Sequence, residues 1–151
     1  RDMHPKIAQE VVNSLATKYN IIHVCYEFHP RLNNCHRFDK TIGKKALFAM
    51  TGAADKRLFI DSSLQHAAAA LNKKSTVLWV ATQPKIFGYD IHHNIGPKKE
   101  YLEGNIDSYL FDYNFTGTIY ECPYKNIEDI HDPAEIVAAV EAEEQPPSAS
   151  K

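Results

Sequence analysis

The chain has 151 residues, 44% of them hydrophobic, and a formal net charge of -2, which suffices for one domain with a substantial core. That charge provides no positive field to hold nucleic acid or an anionic membrane, and no apolar stretch has the length of a membrane span or the pattern of a secretory leader. Cys25, Cys35 and Cys122 are few and odd in number, which fits a reducing, cytoplasmic setting better than a disulfide framework.

Pro5 stands at the permitted first turn of a helix, and Ile7, Ala8, Val11, Val12 and Leu15 follow at helical spacing. This start comes almost directly after Arg1 and Asp2, whereas a doubly wound domain ordinarily opens with a strand. The simplest expectation is the carboxyl-terminal part of a longer protein. Asn20 closes the helix, and Ile21 to Tyr26 reads as a strand. Residues 27–41 are polar, with Pro30 and the Asn33-Asn34 pair, and predict a long loop. Ala46, Leu47, Met50 and Ala53 predict a helix from Gly43 to Ala54.

The next segment is the most informative. Arg57 to Asp61 reads as a buried strand that stops at Asp61-Ser62-Ser63. Short polar side chains there can cap a helix, and Leu64 to Leu71, with four consecutive alanines, is a strong helix former. A strand turning sharply into a helix presents main-chain N–H groups to an anion, most often a phosphate. The same three residues would equally serve as an ordinary cap. Asn72-Lys73-Lys74 predicts a turn and Ser75 to Val80 another strand. Gln83 to Tyr89 reads as a loop, His92-His93 as part of one, and Asp132-Pro133 as the cap of a last helix through Ile136, Val137 and Val140. The end from Glu143 onward is polar and Pro-rich, which predicts a mobile tail over 143–151.

Helix and strand alternate with short connections, so the expected class is α/β, a Rossmann-like doubly wound parallel sheet over residues 1–142. Ligands of such sheets sit at the carboxyl ends of the strands. The loops after Tyr26, at Asp61–Ser63 and after Val80 are therefore expected to converge.

The run Asp61-Ser62-Ser63-Leu64-Gln65-His66-Ala67-Ala68, followed by Val77-Leu78-Trp79-Val80 and Phe87-Gly88-Tyr89, resembles the carboxyl-terminal half of GT-B glycosyltransferases of the heptosyltransferase type (glycosyltransferase family nine). Residues 1–26 resemble the first helix and second strand of that half. The resemblance implies an enzyme that transfers a sugar from a nucleotide-diphosphate-sugar to a glycan, lipid or protein acceptor. It implies no cofactor and no metal. The diphosphate would lie against Asp61, Ser62, Ser63 and Gln65, with His66 as a catalytic group. Arg1 stands near the place of a phosphate-neutralising base, one residue out of register. Tyr26 and Glu27 would contact the nucleoside, a carboxylate being suited to a ribose diol. Family members usually have Gly where Ser63 stands, and Gly permits closer approach to a phosphate. Their acceptor-binding residues lie in an amino-terminal domain that these residues do not include, so that half is an expected partner. Any membrane-surface association would run through the acceptor.

Cys25, His29, Cys35 and His36 lack the paired short spacing of structural zinc sites. Adjacent His92 and His93 would diverge rather than chelate. Tyr101, Tyr109, Phe111, Tyr113, Phe115, Tyr120 and Tyr124 could stack on a sugar or base, or form packing or an interface. The rival reading is a lapsed glycosyltransferase-like module used for binding or assembly. No dinucleotide-binding glycine motif, phosphate-loop lysine or Ser-His-Asp pattern is present.

Overall fold

The computed structural model describes residues 3–39, 41, 43–80, 82–98 and 128–144. Arg1, the aromatic run 101–124 and the end from 145 onward lie outside the described residues. Helix α1 (Pro5–Leu15) opens the chain, followed by strand β1 (Ile22–Cys25) and strand β2 (His36–Asp39). Helix α2 (Lys44–Ala53), strand β3 (Leu58–Ile60), helix α3 (Ser63–Ala70) and strand β4 (Thr76–Leu78) come next. A single helical turn α4 (Pro84–Phe87), strand β5 (His93–Ile95) and helix α5 (Pro133–Ala142) complete the described elements.

The molecule is mixed α/β with every described strand pair parallel. The alternation of elements predicts one doubly wound sheet; the described strands instead form two small ones, β1-β2 and β3-β4-β5. This arrangement is compatible with a Rossmann-like fold. Two predicted loops are corrected. His36–Asp39 is a strand, because its backbone pairs with β1 in the register Ile22 with His36 through Cys25 with Asp39. The segment around His93 is likewise a strand, paired with β4 from Thr76 with His93 to Leu78 with Ile95. Part of the predicted Gln83–Tyr89 loop is the turn α4.

The main core lies on one face of the three-stranded sheet. Ile7, Val11 and Leu15 of α1 pack with Leu78, Val80 and Ile95, and with Ile130, Ile136, Ala139 and Val140 at and before α5. Strand residues alternate between faces, so Val77 and Trp79, both fully buried, point the other way. That second face belongs to α3. Ser75, in phase with Val77, bonds His92 Nδ1 at 2.9 Å, and His92 Nε2 donates to the Gln65 carbonyl of α3 at 3.0 Å.

A parallel β–β connection ordinarily carries a helix. Here residues 26–35 make the crossover without one, and side-chain amides of α1 support it. Asn33 N donates to Gln9 Oε1 at 2.8 Å, and Asn34 Nδ2 to Asn13 Oδ1 at 3.1 Å. Asn34 takes a left-handed φ of 59°, which Asn tolerates better than most residues. No helix among the described residues is long and apolar enough to cross a membrane.

Arg57 explains how α2 ends. Its guanidinium donates to the carbonyls of Thr51 (2.5 Å), Gly52 (3.2 Å) and Ala54, and to that of Lys74 (3.4 Å). A cation at a helix carboxyl end satisfies orphan carbonyls and opposes the helix dipole. The Arg57 backbone N–H donates to Glu143 Oε2 at 3.1 Å, which corrects the reading of Glu143 as the first residue of a mobile tail. Its side chain is buried after α5, and burial pushes its carboxyl up to about 7. Asp132 caps α5 as its sequence predicts, accepting from Ala134 N at 2.9 Å.

Candidate functional site

The strand-to-helix corner forms as its residues dictate. Ser62 takes an extended backbone (φ -153°, ψ 169°), and its Oγ accepts from Leu64 N at 3.4 Å, making it the N-cap of α3. The helix closes at Asn72, whose φ is 52°. Lys73 N reaches back to Ala68 O at 2.8 Å and Asn72 N to Ala69 O at 3.0 Å, the paired bonds of a Schellman ending.

Asp61 lies buried at the end of β3, and its Oδ2 accepts from Thr82 Oγ1 at 2.8 Å. The loops after β3 and β4 are thereby joined, as expected for adjacent carboxyl ends of a parallel sheet. Ser63 is exposed at the first helical position. Of the first-turn amides, Leu64 N bonds the Ser62 hydroxyl and Gln65 N bonds the Ser62 carbonyl at 3.2 Å. Both of these are engaged within the cap.

Gln65 is fully buried. Its Nε2 donates to Phe87 O at 3.1 Å, tying α3 to α4, while its Oε1 is buried without a hydrogen-bond partner. His66 is exposed one residue further on, with Nδ1 3.0 Å from Tyr89 Oη. The Tyr89 ring meets His66 edge-on at 5.5 Å and His92 at 5.8 Å. His92 is held neutral: burial drives its pKa below the ordinary histidine value. Its Nε2 hydrogen goes to the Gln65 carbonyl, leaving Nδ1 to accept from Ser75. A cleft of about 420 Å³ opens beside this cluster, lined by His66, Ala69, Ala70, Tyr89, Asp90 and Ile91.

Tyr26 and Glu27 lie beside the other sheet, in the loop after β1. Arg37 of β2 gathers their carbonyls, donating through Nη2 to Tyr26 O at 2.6 Å and Glu27 O at 2.8 Å, and through Nη1 to His29 O at 3.2 Å. Tyr26 stacks on Phe28 at 5.3 Å with 10° between planes. Phe28 is 79% exposed, so this loop presents a flat aromatic surface to solvent.

The geometry therefore unites Asp61, Ser62, Ser63, Gln65 and His66 on one strand end and one helical turn. Tyr26 and Glu27 form a separate cluster, and Arg1 lies outside the described residues. Thr82 and Asp90 are the neighbours that sequence reasoning missed, while Tyr89 stood in the Phe87-Gly88-Tyr89 run without a role at the site. The signal for Thr82 and Asp90 was their position after a strand end, where an α/β sheet places its ligands. Among the described residues, no group of three or more His, Cys, Asp or Glu is placed to hold a metal ion. Cys25 and Cys35 are free thiols, and burial pushes the Cys35 thiol up, away from the reactive thiolate form.

Comparison with protein-family models, curated proteins and solved structures finds no match to this chain.

Proposed function

We propose that the chain is the donor-binding half of a metal-independent GT-B glycosyltransferase, moving a sugar from a nucleotide diphosphate to a glycan, lipid or protein acceptor. The observation that carries this reading is the corner itself. A buried carboxylate ends β3, a serine caps the Ala-rich α3, and Thr82, after the next strand, hydrogen-bonds the carboxylate. Such a corner combines a helix dipole, which favours an anion, with hydroxyls that can donate to one. As the glycosidic bond breaks, charge gathers on the leaving diphosphate. The Ser62 and Ser63 hydroxyls and the α3 dipole would stabilise that charge more in the transition state than in the ground state.

Calorimetric titration with ADP, UDP and GDP is expected to show binding of one base, weakened by Asp61→Ala. Joined to its amino-terminal half, the protein with Asp61→Ala or His66→Ala should lose ~10–1000-fold in transfer, the range for single electrostatic contacts. Full turnover in both variants would remove the corner from the mechanism.

One observation favours the rival, a lapsed donor site kept as a binding or assembly module. Leu64 N and Gln65 N already bond Ser62, and a side chain stands at Ser63 where relatives of the motif usually have glycine. Absence of nucleotide binding together with a stable oligomer would select this second reading.

A further inference from the structure

The two half-sheets have unlike edges. Strand β2 reads His36-Arg37-Phe38-Asp39 and strand β5 reads His93-Asn94-Ile95. Polar and charged residues of this kind protect a true sheet edge. The edges of β1 and β3 are the reverse. Strand β3 reads Leu58-Phe59-Ile60, and β1 sets Ile22 and Val24 beside His23 and Cys25. Strand β3 is half-buried throughout, whereas β4 next to it is fully buried, and Ile22 is 52% exposed. Strands β1 and β3 thus have the composition of interior strands in a parallel sheet and the surroundings of edges.

Main-chain groups make the same division. The Ile21 carbonyl accepts from His36 N, and the Arg57 carbonyl from Thr76 N, both at 2.8 Å. Alternate residues of a parallel ladder turn their N–H and C=O groups to opposite sides. Ile22 and Val24 therefore face away from β2, and Leu58 and Ile60 away from β4. Among the described residues, none of these four makes a main-chain hydrogen bond on that open side.

Both open edges border one core. Ile21, at the entry to β1, and Leu58 of β3 pack against the cluster that Ile7, Val11 and Leu15 of α1 help to form. Yet β1 and β3 share no ladder and do not stand at the ~4.8 Å spacing of neighbours. Helix α1 leads into β1 through residues 16–21. It therefore runs against β1, and its Pro5 end lies toward the carboxyl ends of the strands.

We propose that β1 and β3 bracket an open strand site, filled by a parallel apolar strand of polypeptide that leads directly into α1. The inserted strand bonds Ile22 and Val24 on one side and Leu58 and Ile60 on the other, with β1 and β3 about 10 Å apart. Strand, α1 and β1 then make an ordinary βαβ unit. The two half-sheets become one, in the order β2-β1-strand-β3-β4-β5, with polar strands at both outer edges. Its side chains are apolar on both faces, as in other parallel strands covered on two sides. The site uses none of the residues at the Asp61 corner and goes beyond the donor reading.

The test is amide hydrogen exchange followed by NMR, on the chain itself and on the chain with Val-Ile-Val-Val-Gly joined ahead of Arg1. In the chain itself, Ile22, Val24, Leu58 and Ile60 should exchange faster than His23 and Phe59, whose amides face the existing ladders. The joined strand should slow all four by about tenfold or more, because a laddered amide exchanges only on opening, and should raise the melting temperature. The same extension with proline at its centre, which cannot donate to a ladder, should do neither. Slow exchange of the four amides in the chain itself overturns the proposal, since the edges are then already closed. So does a joined strand that slows none of them, that protects β1 or β3 alone, or that acts no better than its proline version. The free peptide acetyl-Val-Ile-Val-Val-Gly-amide tests the other source of a strand. Protection by the peptide and not by the joined strand overturns the entry through α1.

Discussion

Glu143 and the buried histidines set opposite responses to pH. The Glu143 carboxyl is raised from 4.5 to about 7, chiefly by burial. Between those values the folded chain holds a proton that the unfolded chain has lost, so stability falls as pH rises through that window. His92 and His131 are lowered below 6.5, again chiefly by burial. They are neutral when folded and take up protons when unfolded, so their contribution is lost as pH falls below 6.5. Glu143→Gln should therefore raise the melting temperature more at pH 8 than at pH 4.5; an equal shift at both would show that Glu143 titrates normally. Arg57 carries a different load, since its guanidinium serves carbonyls at the end of α2. Arg57→Met leaves those groups without their donor and should cost ~1–3 kcal/mol in urea unfolding, the cost of orphaning one buried group, the Thr51 carbonyl. Neither role was legible from sequence. Glu143 sits in a polar, Pro-rich stretch, and its hydrogen-bond donor is the Arg57 N–H, far away along the chain.

Among the elements, those with an internal signal were legible. The stripe Ile7–Val11–Leu15, the caps at Ser62 and Asp132, and the apolar runs of β1, β3 and β4 all formed within a residue or two of their sequence bounds. The two missed strands lacked such a signal. His36-Arg37-Phe38-Asp39 has one apolar residue, and β2 is exposed or half-buried throughout. His93-Asn94-Ile95 is polar at two of three positions, and its pairing with β4 supplies what its composition does not. The corner was legible because cap and strand are contiguous. The cleft was not, because more than twenty residues separate His66 from Tyr89, and it is a tertiary contact, the Gln65–Phe87 bond, that ties α3 to α4. Two substitutions test these elements. Ser62→Ala removes the cap and should cost about 1 kcal/mol, measurable as a shift in the urea midpoint. Gly88→Ala would set its methyl 2.6 Å from the Pro84 carbonyl oxygen, and such overpacking costs typically ~1–3 kcal/mol. Because Tyr89 is next in the chain, that variant should also move the His66 and Tyr89 resonances.

Across the whole molecule, distant stretches make one core. Ile7, Val11 and Leu15 from the start meet Ile136, Ala139 and Val140 from α5 across β4 and β5. Ile136 is fully buried there, and Ile136→Ala should destabilise by ~2–5 kcal/mol, read as a lower denaturation midpoint with an unchanged slope. The partition into two sheets was not legible, since strand order depends on pairings that no local pattern encodes. It also gives α1 two duties. Its apolar flank is sealed into the core, whereas Gln9 and Asn13 hold the β1–β2 crossover only through amides that water can replace. Helix α1 is thus a hinge pin between a dry side and a wet one. Breathing of the molecule should begin on the wet side, with the Asn33–Asn34 end of the crossover parting from α1 before any oily contact gives way.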